Sequence, residues 1–414
     1  MLLRKYFSAF VRVYRTQGLY SAIYKVISKL RGLDKNTKAI SMIFNPPKKD
    51  ITSFYDFITY PDMGCLKGTV PSHLKSTINW LIPDFGIGSG GHLTIFRFIM
   101  MLEKNGFTNN ICIVGKHSHA NQVSARNMIR EHFMPIHANV FFDLHDLPES
   151  EFTFATGWNT AYFLRYFNRT YHKLYFVQDF EPSFFSAGSE FAFAEETYKF
   201  GFTAICAGNW LADTLAKKYS MKTYSFSFSY DKEVYQVIPD SKDAVKRIFC
   251  YFRVPTSRRG LESALLALDI VGNKHPEVEF VFAGWDMSDY KFNHKWENAG
   301  LVTVEELASI YNRCDIGLII SFTNLSLLPL ELMACGCAVV SNDGDNVTWL
   351  LNDENAAVTS PDPVKLAETI CSLINDESQL ELLKAKGMQF AKKTSWELEG
   401  DKVISYLEEI SSSE

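Results

Sequence analysis

The chain has 414 residues, of which 47% are hydrophobic and 21% are charged. That length is too great for one ordinary hydrophobic core and suits two domains, and the composition is typical of globular proteins. The net charge of −5 excludes the strongly basic surface that nucleic-acid binding needs, so we expect no nucleic-acid partner.

The N-terminal segment 1–31 carries seven basic side chains and no acidic one. Its apolar residues recur at helical spacing, which predicts a helical extension over residues 1–70. The segment has no apolar run long enough to span a bilayer and no signal-peptide pattern. Two interpretations stay open: the helices lie on the inner face of the cell membrane, or they pack on the neighbouring domain.

The eight cysteines are scattered, mostly in apolar runs where cysteine behaves as a small hydrophobic residue. They are Cys65, Cys112, Cys206, Cys250, Cys314, Cys335, Cys337 and Cys371. The one close pair, Cys335 and Cys337, has no second pair at zinc-like spacing and no nearby histidine. We therefore expect neither a disulfide nor a metal, and a cytoplasmic protein.

From residue 76 onward, short apolar runs alternate with helical patterns, which is typical of a parallel sheet covered by helices. The predicted strands are 78–82, 110–115, 140–144, 152–155, 173–177 and 204–207, and the predicted helices are 93–102, 123–132 and 210–219. This series predicts an N-terminal Rossmann-like domain over residues 71–235.

A second series follows the polar stretch 230–243. Its predicted strands are 247–252, 278–283, 316–320 and 338–341, and its predicted helices are 261–271, 305–312 and 328–334. We predict a C-terminal Rossmann-like domain over 240–394, followed by a helix in 395–414 that crosses back to the first domain. The fold class is α/β, with two doubly wound domains that face each other across a ligand-binding cleft.

The segment 86–91, Gly-Ile-Gly-Ser-Gly-Gly, lies between a strand and a helix and matches a dinucleotide fingerprint. However, the next strand ends in Lys116-His117 rather than in the acidic residue that would bind a ribose. NAD binding is therefore disfavoured. The backbone amides of Gly90 and Gly91 could still approach an anion, or the glycines could simply allow a tight turn.

Three arginines gather where the first strand of the second domain meets its helix. Arg253, Arg258 and Arg259 would be repelled by the positive end of the helix dipole unless an anion lies among them. Because a guanidinium donates two parallel hydrogen bonds to phosphate, the cluster favours a diphosphate. A solvated basic turn is the alternative.

Glu331 is the sole charged residue of the predicted helix 328–334. A carboxylate in such apolar surroundings is costly unless it accepts hydrogen bonds. The two hydroxyls of a ribose would supply them, and an internal hydrogen bond is the alternative.

The segment 321–340 resembles the nucleotide-binding block of the retaining GT-B glycosyltransferases of family four. In order, it has a strand ending in serine, a loop, a proline-containing helix start, Glu331 and then Ala334-Cys-Gly336. Arg253 and Arg259-Gly260 stand where that family binds diphosphate, and Gly90-Gly91 match its glycine loop. The likeness covers residues 77–407.

The whole chain resembles bacterial rhamnosyltransferases of the WsaF kind more closely still, in segments 79–85, 176–182 and 282–285. This resemblance implies dTDP-β-L-rhamnose as donor substrate and a rhamnose-containing glycan of surface (S-layer) polysaccharide synthesis as acceptor. It also implies retention of configuration, no metal and no separate cofactor. It implies that the 71–235 domain binds the acceptor and that the 240–394 domain binds the nucleotide sugar. We expect the acceptor to be lipid-linked and leave a homodimer open.

The resemblance also implies roles for individual residues. Arg253, Arg259 and Thr323 would act on the reacting groups. The donor would be bound by Gly90, Gly91, Arg258, Val302, Ser326, Leu327 and Glu331. Four residues are expected either to contact the sugar or acceptor or to have structural roles instead: His92, Trp158, Asp179 and Glu181. None of these residues is assigned as general base.

One departure from the family pattern matters. The family has two glutamates eight positions apart, and the first of them falls on Thr323. We hypothesise that a neutral threonine suits a 6-deoxy sugar. Alternatives are another nucleotide sugar, a nucleotide-sugar epimerase, a glycoside hydrolase, which would need two carboxyl groups flanking the bond, and an inactive relative that kept the fold.

Overall fold

The computed structural model describes residues 50–59, 74–239 and 241–412. The predicted helices of segment 1–31 lie outside the described residues, as does most of the predicted extension 1–70. Two compact units make up the chain, Met1–Tyr175 and Phe176–Glu414. The predicted domain boundaries, 71–235 and 240–394, follow the two sheets instead, and they stay a prediction.

The first sheet has seven strands in the order β3-β2-β1-β4-β5-β6-β7. The strands are β1 (Thr77–Ile82), β2 (Thr108–Ile113), β3 (Asn139–Phe141), β4 (Ser150–Ala155), β5 (Thr170–Val177), β6 (Thr203–Ala207) and β7 (Thr223–Phe226). Strand β1 runs parallel to both neighbours, with Trp80 opposite Ile111 on one side and Phe154 on the other. Because helices cover both faces of such a sheet, β1 is buried at every position after Thr77.

The helices of this part of the chain begin where the sequence offers caps or small residues. They are α1 (Ile51–Phe54), α2 (Asp56–Thr59), α3 (Gly90–Lys104), α4 (Gln122–His132), α5 (Trp158–Tyr166), α6 (Ser189–Glu196) and α7 (Asn209–Tyr219). Asn121 caps α4, since its side chain accepts a hydrogen bond from the Ser124 N–H at 2.8 Å. Helix α3 lacks such a side-chain cap.

The second sheet has six parallel strands in the order β10-β9-β8-β11-β12-β13. The strands are β8 (Arg247–Tyr251), β9 (Glu279–Ala283), β10 (Trp296–Gly300), β11 (Ile316–Ile319), β12 (Ala338–Asn342) and β13 (Ala357–Thr359). Its helices are α8 (Leu261–Lys274), α9 (Val304–Arg313), α10 (Leu328–Ala334), α11 (Asp345–Thr348), α12 (Pro363–Asn375) and α13 (Glu377–Lys393). Buried aliphatic and aromatic residues of the strands, α8 and α12 form one core.

The last helix, α14 (Trp396–Ser412), lies against β7, the final strand of the first sheet. The rings of Tyr406 and Tyr224 stack at 4.6 Å between centroids, and the Tyr406 hydroxyl donates to the Ser225 carbonyl at 3.0 Å. The Ser227 N–H donates to Glu399 at 2.8 Å.

The predicted fold class is therefore confirmed: two parallel, doubly wound sheets with helices. The seven described cysteines are all buried thiols, and Cys65 lies outside the described residues. Burial raises the pKa of Cys337 to about 12, so this thiol acts as a core residue. Within the described parts of the chain, no helix is both long and apolar enough to cross a membrane.

Gly208, between β6 and α7, offers a test of local packing. Its φ of +93° suits glycine, and a Cβ there would lie 2.7 Å from the Trp349 ring. Gly201 shares a positive φ of +80°, but a Cβ would meet nothing within 4 Å. We expect Gly201→Ala to lower the free energy of unfolding by about 1–2 kcal/mol, and Gly208→Ala to lower it by about 2 kcal/mol more. Urea denaturation measures both, and equal losses would contradict the ring contact.

Candidate functional site

The arginines predicted to bind a diphosphate lie in the turn between β8 and α8. Residues Ser257–Arg259 form a 3-10 turn, and α8 begins directly after Gly260. Gly260 has a φ of +64°, and a Cβ there would lie 2.5 Å from Ile320. The backbone therefore turns tightly here, which brings Arg258 and Arg259 to the N-terminus of α8.

Neighbouring aromatic rings and charges hold these guanidiniums. Arg258 lies 3.9 Å from the centre of the Phe184 ring, and Arg253 lies 5.9 Å from that of Tyr251. Burial lowers the pKa of Arg258 and of Arg259, and the charge of Arg253 lowers the pKa of both further. Positive charge is thus concentrated in partly dehydrated surroundings.

Asp179, two residues after β5, places one carboxylate beside this positive charge. Its Oδ2 lies 3.8 Å from Arg258 Nε and 3.9 Å from Arg259 Nη2. Burial raises the pKa of Asp179, against the opposing influence of Arg259 and of the Asn324 N–H. Asp179 thus lies beside the arginines, and its expected contact with the sugar or acceptor, or a structural role instead, stays a prediction.

Thr323 lies in the loop after β11 and is 2% exposed. Its hydroxyl donates a hydrogen bond to Asp179 Oδ2 at 3.0 Å. The structure therefore brings four of the predicted residues together, since Arg258 and Arg259 pair with the same carboxylate. The hypothesis that Thr323 selects a 6-deoxy sugar stays a prediction.

Asn324 is a residue of this site that the sequence did not reveal. Its side chain is fully buried and donates to the carbonyls of Gln178 and Ala207, at 2.9 and 2.7 Å. Its own Oδ1 accepts from the indole N–H of Trp349 at 2.8 Å. Asn324 thus ties the loop after β11 to the ends of β5 and β6. Because Asn324 is a polar residue in a polar loop, its sequence context does not predict that it is buried.

The same loop holds Arg259. Its Nη1 donates to the Ser321 hydroxyl at 2.7 Å and to the Asn324 carbonyl at 2.9 Å. Ser321 is itself fixed, because its N–H donates to Asn342 Oδ1 at 2.8 Å. These bonds fix the guanidinium plane of Arg259 without using all of its donors.

Glu331 lies on α10 as predicted and is 9% exposed. The Tyr311 hydroxyl approaches Glu331 Oε2 at 3.4 Å, which is long for an O–H···O hydrogen bond. Burial, and then the charge of Glu331, raise the pKa of Tyr311 well above its ordinary value. The internal contact from Tyr311 is therefore a weak one, and the expected ribose contact stays a prediction.

The backbone before α10 is open to an anion. No hydrogen bond joins the N–H of Ser326 or of Leu327 to any residue that the structure describes. Both residues are half-buried, and the backbone turns into α10 at Leu327. Val302, predicted to lie by the base, is half-buried just before the capping residue Thr303 of α9.

The backbone of the glycine turn 86–91 bears on the two explanations for its glycines, a tight turn and anion binding. Gly88 has a φ of +84° and so favours glycine for its backbone conformation. Gly86 and Gly90 have no such φ, and a Cβ at either would meet nothing within 4 Å. The tight-turn explanation therefore accounts for Gly88 alone, and the expected role of Gly90 and Gly91 in phosphate binding stays a prediction.

His92, on the first turn of α3, is held at both ring nitrogens. Nε2 lies 3.3 Å from the Pro83 carbonyl, which accepts only, so Nε2 carries the proton and Nδ1 accepts from the Ser89 hydroxyl at 2.7 Å. Burial lowers the pKa of His92 to about 4. The neutral ring thus fixes the glycine turn to the end of β1.

Trp158 and Glu181, the other two residues predicted to contact the sugar or acceptor, also contact other residues in the fold. The Trp158 ring lies 5.9 Å from that of Phe57, between centroids, at the start of α5. Glu181 is 7% exposed, and its N–H donates to the Tyr198 hydroxyl at 3.1 Å. Among residues 50–59, 74–239 and 241–412, no three His, Cys, Asp or Glu side chains are grouped to hold a metal ion.

Two family models match the chain. The model "WsaF, C-terminal domain" matches residues 246–371, which include the arginines and Glu331. The model "WsaF, N-terminal domain" matches residues 137–209, which include Asp179. The "O-antigen biosynthesis protein RfbC" of Myxococcus xanthus is 30% identical over 347 residues, or 80% of this chain. This chain spans 27% of the length of that protein.

Solved structures agree on the fold. A sucrose-phosphate synthase of Thermosynechococcus elongatus matches with a TM-score of 0.66 and 12% identity, over 82% of this chain and all of that one. The Anabaena protein HepE, solved with UDP and glucose, matches with a TM-score of 0.64 and 15% identity, over 81% of this chain and all of that one. These likenesses show that the chain shares the two-sheet fold of these proteins.

The contacts of His92 predict a pH-dependent stability. Because its folded pKa of about 4 lies below the ordinary 6.5, the unfolded chain binds a proton between these pH values that the folded chain does not. The free energy of unfolding therefore falls as the pH falls from 6.5, by about 2 kcal/mol at pH 4.5 from this residue alone.

Urea denaturation between pH 7.5 and pH 4.5 measures this loss in the wild type and in His92→Gln. The glutamine amide can still accept from Ser89 and donate to Pro83, but it does not titrate. We expect a shallower fall in His92→Gln, whereas parallel curves for the two proteins would show that His92 is not held neutral.

Proposed function

We propose that this chain is a glycosyltransferase that moves L-rhamnose from dTDP-β-L-rhamnose to a rhamnose-containing glycan, with retention of configuration and without a metal. The observation that carries the proposal is the concentration of Arg253, Arg258 and Arg259 around the start of α8. Three guanidiniums, with the carboxylate of Asp179 beside two of them, form a site that suits a dianionic diphosphate.

The rest of the donor would bind along the carboxyl ends of β10, β11 and β12. The N–H groups of Ser326 and Leu327 would add donors for the phosphates. Glu331 on α10 would accept hydrogen bonds from the ribose, and the Tyr311 hydroxyl lies 3.4 Å from its Oε2. Val302 would contact the base.

The reaction follows from this arrangement. The bond between the anomeric carbon and the β-phosphate oxygen breaks, and the acceptor oxygen bonds to that carbon on the same face. The acceptor's proton passes to a departing phosphate oxygen, so no protein base is needed. Arg253 and Arg259 would stabilise the charge that develops on the diphosphate, which is the main electrostatic contribution that we assign to the protein.

The rhamnose donor and the polysaccharide acceptor are what the resemblance to WsaF-type rhamnosyltransferases implies, and the WsaF matches over 137–209 and 246–371 support that resemblance. The RfbC relative is an O-antigen biosynthesis protein, which favours a surface polysaccharide. The seven basic residues of segment 1–31 would bring the chain to an anionic membrane, where a lipid-linked acceptor would lie.

Calorimetry with dTDP, UDP and GDP in EDTA tests the nucleotide site. We expect dTDP to bind without metal, and Glu331→Gln to weaken its binding roughly tenfold because a neutral amide is a poorer acceptor for the ribose hydroxyls. The matched control is Glu399→Gln, since Glu399 is equally buried, 7% exposed, but lies on α14.

Other outcomes separate the alternatives. Preferred binding of UDP or GDP would keep the transferase and discard the rhamnosyl donor. Release of dTDP from dTDP-rhamnose only in the presence of a glycan acceptor would exclude an epimerase. Nucleotide binding without any transfer would favour the inactive relative, for which the threonine at position 323 is the motivating observation.

A further inference from the structure

We propose that Asp179 is a positioning residue that acts as a built-in counter-anion for Arg258 and Arg259 and thereby weakens the binding of a nucleoside diphosphate. The inference rests on the proposed function, because it takes these arginines as the diphosphate site. It gives Asp179 a role different from contact with the sugar or acceptor.

The carboxylate is fixed by donors other than the arginines. Oδ1 accepts from the N–H groups of Phe180 and Asn324, both at 2.8 Å, and Oδ2 accepts from the Thr323 hydroxyl at 3.0 Å. Three bonds from two chain segments thus set its orientation. Asp179 cannot follow a ligand or turn away from one without breaking them.

The arginines approach this carboxylate without hydrogen-bonding to it. Their nitrogens lie 3.8 and 3.9 Å from Oδ2, which is beyond hydrogen-bond distance. Arg258 Nε is buried and has no hydrogen-bond partner among the described residues. Asp179 therefore offsets the charge of both guanidiniums and leaves their donors available to a phosphate.

Other contacts keep the arginines in place. Arg259 donates to the Ser321 hydroxyl and to the Asn324 carbonyl, and Arg258 stacks on Phe184 at 3.9 Å. Loss of the Asp179 charge should therefore leave both guanidiniums where they are. What changes is the field that an incoming diphosphate meets, because a fixed negative charge beside its binding groups repels it.

This arrangement has two consequences for turnover. In the absence of donor, the carboxylate limits the repulsion between two adjacent, partly dehydrated guanidiniums. After transfer, it repels the product nucleoside diphosphate and so favours its release. The site thus avoids the tight product binding that three arginines alone would give.

The test compares diphosphate binding in the full-length wild type and in Asp179→Asn by calorimetry in EDTA. The asparagine oxygen can accept from Phe180 and Asn324, and its amide can donate to the Thr323 hydroxyl oxygen, so the change removes charge with little change of shape. We expect dTDP to bind roughly tenfold more tightly to the variant, and thymidine, which has no phosphate, to bind equally to both.

Two further variants sharpen the comparison. Asp179→Ala also removes the charge and should tighten dTDP binding in the same direction. Asp315→Asn is the matched control, because Asp315 is also buried, 6% exposed, but pairs with Lys384 at 2.8 Å. We expect this control to change neither the dTDP nor the thymidine affinity.

Unchanged or weaker dTDP binding in both Asp179 variants would overturn the inference while leaving the proposed function intact. Weaker binding of dTDP and thymidine together would show that Asp179 only maintains the fold of the site, which also overturns it. A wild type that binds neither dTDP nor any other nucleoside diphosphate would instead refute the proposed function.

Discussion

The burial of positive charge at the start of α8 is the constraint on which the rest of the site depends. Arg258 and Arg259 are adjacent in sequence and partly dehydrated, and burial and the charge of Arg253 lower the pKa of both. Nearby polar groups offset the cost of burying these two charges. Asp179 supplies an opposite charge, and Ser321 and Asn324 supply acceptors to Arg259. The loop after β11 and the end of β5 are therefore arranged around two guanidiniums.

Asn324 makes that arrangement rigid. Its fully buried side-chain amide hydrogen-bonds to Gln178 and Ala207, at the ends of β5 and β6, and to Trp349, directly after α11. Since three buried contacts depend on this one amide, its loss would cost more than one ordinary hydrogen bond. A site held this firmly can stabilise a developing charge without first reorganising, which is how electrostatic catalysis gains most.

The two sheets could be predicted because most of their strands are continuous apolar runs, which are typical of parallel sheets. It missed β10, whose Glu297 and Asn298 are exposed, and the short β7 and β13. The arginine turn was predicted from helix-dipole repulsion, and the structure places it at the start of α8. The contact between Asp179 and Thr323 spans 144 residues. No local pattern encodes such a pairing, so only the fold reveals it.

The central claim is that the arginines at the start of α8 bind the diphosphate of a nucleotide sugar. Diffraction from crystals grown with dTDP tests this most directly. We expect difference density for the two phosphates within hydrogen-bond distance of Arg253, Arg258 and Arg259, with the ribose at Glu331. Density for the nucleotide anywhere else, with these arginines contacting only solvent and Asp179, would contradict the account.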